Sequence, residues 1–228
     1  MLSPLESEAL ALSLRVAFWS VAASLPLGLA VAWLLARREF VGKNVLNGVV
    51  HLPLVLPPVV VGYLLLVLLG RQGPIGRLLH DGLGVTVAFT WQGAAVAAAV
   101  MAFPLMVRAM RLSFEAVDRR LEAAARTLGA RPWDVFATIT LPLMSPGILA
   151  GAILAFARSL GEFGATITFV SNIPGETRTL PLALFSEVQS PGGEQAALRL
   201  AVISVVLAFA ALAASELLAR RLRRRIGA

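Results

Sequence analysis

The sequence predicts an all-α integral membrane protein with five transmembrane helices and one long cytoplasmic loop. Three observations predict it. Of the 228 residues, 58% are hydrophobic and 14% charged, where soluble domains carry about 25% charge; the mean hydropathy is +0.81. Five separate stretches approach or exceed the roughly 20 apolar residues needed to cross about 30 Å of hydrocarbon. The basic residues gather on one alternating set of connecting segments. This composition excludes disordered and collagen-like chains, and it leaves a single soluble core without enough polar surface.

The spans follow in order, and together residues 1–228 form a single transmembrane domain. The first covers about 10–36. Its leader, MLSPLESEAL, is acidic, and its apolar run exceeds the h-region of a signal peptide, so it reads as a span. Arg15, near its outer end, is placed to snorkel to the interface. The second, about 45–69, contains Pro53, Pro57 and Pro58. Proline removes backbone donors, so this helix should be bent or broken near residue 57. The third, about 85–107, carries Gly93, Ala94, Ala97 and Ala98, a face that admits close helix approach. The fourth, about 145–169, holds the GxxxG pair Gly147 and Gly151. The fifth, about 198–219, is followed by RRLRRR, a stop anchor for anionic lipid. All five are too long for barrel strands and lack period-two alternation, so they are helices.

Charge sets the orientation. With the N-terminus outside and the C-terminus in the cytoplasm, segments 37–44, 108–144 and 220–228 hold 14 of the 20 Lys and Arg. Arg71, Arg77, Arg178 and Arg199 face out, and Arg15 and Arg158 lie within spans. This distribution assigns the net charge of +7 to membrane topology and not to nucleic acid.

Several chemistries have no residues to carry them. There is no cysteine, and the two histidines, His51 and His80, sit near helix ends without a partner motif. No catalytic residue, metal site or cofactor is expected. The sequence has no GxxxxGK[ST] phosphate loop, so ATP hydrolysis is not expected of it.

Charges at membrane depth are costly and should face protein or water. In the fourth span Arg158 and Glu162 lie four apart, and helical geometry puts them on one narrow face with Gly147 and Gly151. That face lines a translocation path or gate, or else the two charges form a structural pair locking helices together. The cytoplasmic loop 108–144 is long for a connector. LEAAARTLG forms a short helix, Gly129 ends it, Pro132 restarts, and DVFATITLP continues. A short helix held beneath the membrane suits docking into another protein, or serves as an interfacial connector.

This loop resembles the permeases of ABC importers. Their pattern is Glu-Ala-Ala, three residues, Gly, nine residues, then Ile-x-Leu-Pro. Gly129, nine residues, then Ile139, Leu141 and Pro142 match it. The triplet departs: Ala123, Ala124 and Ala125 stand in its place, with Glu122 one position early. HLPLVLPPVVVGYLLL and ARSLGEFGATITFVSNIPGETRTLP further resemble the molybdate permeases among them. The resemblance implies an importer permease fold, with this loop as the coupling helix seated in an ATP-hydrolysing subunit. It implies transport of an oxyanion, most of all molybdate, with sulfate, thiosulfate or tungstate as alternatives; an ATP-independent transporter or channel is the competing class. Two ATP-binding subunits below and a periplasmic or extracellular oxyanion-binding protein above are the implied partners. Five helices are few to enclose a path, which favours a homodimer in the bacterial inner membrane.

The outer loop, about 168–197, has turns at Pro174-Gly175 and Pro191-Gly192-Gly193 around a short helix over 182–189. That helix is too short to span and should lie at the interface or dip in as a cap. The resemblance makes this side the receiver of the binding protein, with Arg178, Glu176 and Glu187 as polar contacts.

Overall fold

The computed structural model describes residues 3–226; the side chains of 215, 216 and 218–226, including those of the basic run after the fifth span, lie outside the described residues. Every element among the described residues is helical. Helix α1 (Pro4–Arg37) begins with a capping box, in which Ser3 and Glu6 satisfy each other's backbone N–H. Its 34 residues reach roughly 50 Å at 1.5 Å per residue, so it overhangs the hydrocarbon.

The second span is broken where the prolines lie. Helix α2 (Lys43–Val55) and helix α3 (Pro58–Leu69) meet at 116° across Leu56 and Pro57. Leu56, preceding a proline, is extended with ψ 143°, and neither Pro57 nor Pro58 has an N–H to continue the ladder. Asn47 of α2 accepts from Arg111 near one end of helix α5 (Trp91–Ala116), while Leu65, Leu66 and Leu69 of α3 join a cluster with Ala94 and Trp91 at the other end. The pair therefore climbs the height of the bundle as one broken span. Helix α4 (Pro74–Leu83) lies beyond it and stops at Gly84, left-handed at φ +67°.

Helix α5 is the centre. Its Gly and Ala face is buried, and α1 and helix α8 (Leu141–Leu160) pack on it most extensively. A Cβ on Gly147 would collide with Ser113, and one on Gly151 would stand 3.0 Å from the Met106 carbonyl oxygen. Backbones approach here because the side chains are absent.

Below α5, helix α6 (Arg119–Thr127) starts at Asp118, whose carboxylate accepts from the Arg120 N–H at 2.8 Å. It ends in a Schellman turn: Gly129 N–H donates to the Arg126 carbonyl and Ala130 N–H to that of Ala125, with Gly129 at φ +87°. Helix α7 (Pro132–Val135), a π turn (Phe136–Thr140) and α8 then form one rod, Pro132–Leu160. The fourth span thus begins at Pro132 and not near 145, because the second helical segment of the loop continues into it. The π turn has a local cause: Pro142 offers no N–H, and the Leu141 N–H reaches back five residues to the Phe136 carbonyl.

The fourth span also ends early. It stops at Leu160, and a separate helix α9 (Gly164–Val170) follows. Helix α9 lies backbone-to-backbone on α3: a Cβ on Gly62 would be 2.9 Å from Ala165 Cα, and one on Gly164 2.7 Å from Pro58 Cβ. Two half-helices of broken spans therefore pack together. Helix α10 (Leu180–Gln189), close to the expected short outer helix, packs on α1 and on helix α11 (Glu194–Ile226) around Ala9, Leu180, Ala183 and Leu200. The Leu180 N–H donates to Ser13 Oγ at 2.7 Å, and Arg199 pairs with buried Glu6 at 2.7 Å, tying the start of α1 to the starts of α10 and α11. Among the described residues, four helices are long and apolar enough to cross a membrane, and the bent pair makes a fifth.

Candidate functional site

The structure separates the three groups of residues singled out above. The first lies beneath the bundle. Ala123 and Ala124 on α6 are exposed, Ala125 is half-buried, and Gly129 is exposed. Leu121 and Leu128 flank them at 49% and 88% exposure, and Trp133, stacked on Phe136, is 73% exposed. Short apolar side chains thus share the exposed surface of α6 with Arg119, Arg120 and Arg126, and Trp133 extends it at the foot of α7. Glu122 points the other way and is buried. Its Oε1 accepts from Arg37 Nη2 and from Thr140 Oγ1, both at 2.8 Å, and Arg126 Nη2 stands 3.8 Å from Oε2. Ile139 and Leu141 are half-buried on the rod, and Pro142 is exposed.

The second group lies at the end of α8. Arg158 Nη1 and Glu162 Oε2 are 2.7 Å apart. They do not share a helix, because α8 has ended between them. Glu162 Oε1 instead accepts the Ala165 N–H at 2.9 Å, so this carboxylate caps α9 while holding the guanidinium. Glu162 is buried, with a side chain only 2% exposed; that of Arg158 is 28% exposed. The arrangement presents cationic surface and hides the anion behind it. Gly147 and Gly151 do not join this surface. They face α5, which corrects the expectation that they line the same path; their small size serves helix contact within the chain. Beside the pair, Ser159 and Ser20 share a buried hydrogen bond at 2.8 Å that links α8 to α1.

The third group lies in the outer loop. Glu176 Oε1 accepts the Trp91 N–H at 3.2 Å, capping the start of α5. Arg178 Nε donates to Asn172 Oδ1 at 3.0 Å, and Asn172 Nδ2 donates to Ser186 Oγ on α10 at 2.6 Å. Fully buried Thr177 donates to the Ser171 carbonyl and accepts from the Ile173 N–H. Glu176 and Arg178 are therefore half-buried members of an internally bonded loop, while Glu187 sits apart on α10. Arg15 does more than snorkel: its guanidinium carbon stands 3.7 Å above the Trp91 ring.

The sequence reading missed Arg37, Thr140, Ser20 and Asn172. Arg37 and Ser20 partner residues 85 and 139 positions away, and Thr140 and Asn172 partner residues across turns at separations no helical or strand repeat announces. Among the described residues, no group of three or more His, Asp or Glu side chains is placed to hold a metal ion.

Comparison with known proteins fits this architecture. The chain is 63% identical over 222 residues to the molybdenum transport system permease protein ModB of Escherichia coli strain K12, covering 97% of each chain. It is 57% identical over 223 residues to ModB of Haemophilus influenzae, covering 98% of this chain and 97% of that one. Its fold matches the crystal structure of a bacterial ABC transporter involved in the import of the acidic polysaccharide alginate, with TM-score 0.76 at 16% identity, over 96% of this chain and 80% of that one. The family model for the inner membrane component of binding-protein-dependent transport systems matches residues 24–224. With that match over most of its length, the chain belongs to the family of binding-protein-dependent transport inner membrane components.

Proposed function

We propose that this chain is the permease of an ATP-driven importer that carries molybdate into a bacterial cell. The ATPase is a separate subunit, and an oxyanion-binding protein delivers the substrate. The observation that carries the coupling role is the outward face of α6. Ala123, Ala124 and Leu128 are exposed on a helix held below the bundle, with its single carboxylate turned inward. Such a surface offers short apolar side chains flanked by the exposed Arg119, Arg120 and Arg126 to a cleft in another protein.

Two copies form the pathway, and each seats its α6 on one of two ATP-binding subunits. The N-terminus lies outside and the C-terminus in the cytoplasm, an orientation supported by the distribution of arginine. Arg158 lines the path: it is the exposed member of a pair whose acid is buried, so a passing oxyanion meets the positive charge first. The loop around Arg178, Glu176 and Glu187 receives the binding protein. Closure of the ATPase pair draws the two α6 helices together, and the bundles rock to open the path.

The test is reconstitution of the permease with its ATPase subunit and binding protein in proteoliposomes. Molybdate should stimulate ATP hydrolysis and accumulate inside. Competition by sulfate, thiosulfate and tungstate reports which oxyanion the complex prefers. Uptake by this chain alone without ATP would overturn the importer reading in favour of a secondary transporter or channel.

A further inference from the structure

We propose that Glu122 is a positioning residue that works inside its own chain. It latches α6 to the cytoplasmic end of α1 and to the π turn below α8. The inference rests on the reading of α6 as the helix that meets the ATPase, and it assigns the glutamate of that helix to the opposite side.

Four observations carry it. Glu122 is the one acidic residue of α6, and it is 9% exposed, whereas its neighbours Leu121 and Ala123 are exposed. One carboxylate oxygen accepts two hydrogen bonds at 2.8 Å, from Arg37 and from Thr140. Arg37 lies in the last turn of α1, where the helix dipole favours a cation, and its side chain is only 10% exposed. Backbone packing of α6 is chiefly with α7 and the π turn, so α1 reaches it through this side chain.

The consequence is mechanical. A charge-assisted hydrogen bond is short and directional. A buried carboxylate has no water to replace a lost partner, so the latch holds or the structure around it changes. A push on the outward face of α6 then reaches two places at once: α1, which packs on the central helix, and the foot of the rod that carries Arg158 near its other end. Without the latch, α6 can tilt on Gly129 and Asp118 while the bundle stays where it is.

The experiment uses the full complex of permease, ATPase and binding protein. Arg37→Met is the informative variant, because Arg37 lies outside α6 and its loop. The expected result is retention of the ATPase subunit at wild-type stoichiometry and unchanged basal hydrolysis, with molybdate transported per ATP reduced by about tenfold. Reversal of the pair, Glu122→Arg with Arg37→Glu, should restore part of that ratio over either single change. If Glu122 instead contacts the ATPase, Arg37→Met keeps wild-type coupling and Glu122→Ala releases the ATPase subunit; that pattern overturns the proposal. If Arg37→Met does not accumulate, Arg37→Lys and Thr140→Val carry the test, and wild-type coupling in both overturns it equally. A wild-type chain that retains no ATPase subunit removes the coupling-helix reading itself, which is a different outcome from any of these.

Discussion

Replacement of Gly129 isolates the backbone from every other effect. Its φ is +87°, and a Cβ built there meets nothing within 4 Å. A substitution therefore cannot act through collision with the bundle; it acts only through the left-handed conformation. That conformation costs a residue with a Cβ roughly 1–2 kcal/mol, and a β-branched residue more. A free-energy change of this size alters the population of the closed turn by a factor of about 5–30. The turn also carries the Gly129-to-Arg126 and Ala130-to-Ala125 hydrogen bonds, so both loosen when it opens. The expected order is Gly129→Asn close to wild type, because Asn visits this region readily, then Gly129→Ala, then Gly129→Val. The assay is molybdate uptake per ATP in proteoliposomes, with limited proteolysis of the 116–132 segment as the structural readout. Membrane insertion should be unchanged throughout. Wild-type uptake by Gly129→Val, or an Asn variant as impaired as the Val variant, would refute the reasoning.

The other predictions concern packing and charge. Gly147→Val should prevent stable accumulation through its collision with Ser113, whereas Gly48→Ala, which meets nothing within 4 Å, should be tolerated within about 1 kcal/mol; equal expression of both would contradict the α5–α8 contact. Removing Glu162 alone leaves a partly exposed Arg158 unpaired and α9 uncapped, a loss of about 1–3 kcal/mol, read as a lower melting temperature of the detergent-solubilised complex. The neutral pair Arg158→Met with Glu162→Gln keeps a cap acceptor and should assemble without transporting; full uptake by this variant removes Arg158 from the path. Arg178→Glu should weaken stimulation by the binding protein in a salt-sensitive way with basal hydrolysis unchanged, and an unaltered concentration dependence places docking elsewhere.

What the sequence revealed and what it hid divide by range along the chain. The break at Pro57 and Pro58 and the left-handed stop at Gly129 were legible because each is enforced by the residue itself. The end of α8 at Leu160 was not, although Gly161 follows it directly, since the stretch contains no proline and the spacing of Arg158 and Glu162 suits a continuous helix. There the interruption comes from a carboxylate capping the next helix, a preference that hydropathy does not register. The i, i+4 spacing of Arg158 and Glu162 gave the right partners for the wrong reason, as the pair forms across a helix end. Ser20 with Ser159, and Arg37 with Glu122, are 139 and 85 residues apart. Only the bundle topology brings them together. Glu176 was chosen for its charge, yet its carboxylate is occupied by the start of α5.

The π turn acts as a phase adjuster in a single long rod. Each residue of an α-helix advances the face by about 100°, so one extra residue at Phe136–Thr140 turns everything below it relative to everything above. Above, Gly147 and Gly151 must look at α5; below, Trp133 looks outward beside α6. The nine residues from Gly129 to Ile139 are thus less a tether length than an angular setting. Deleting one residue from that stretch would shorten the loop trivially, but it would swing the foot of the rod by roughly a quarter turn and re-aim the proposed docking face while every membrane span stayed in place.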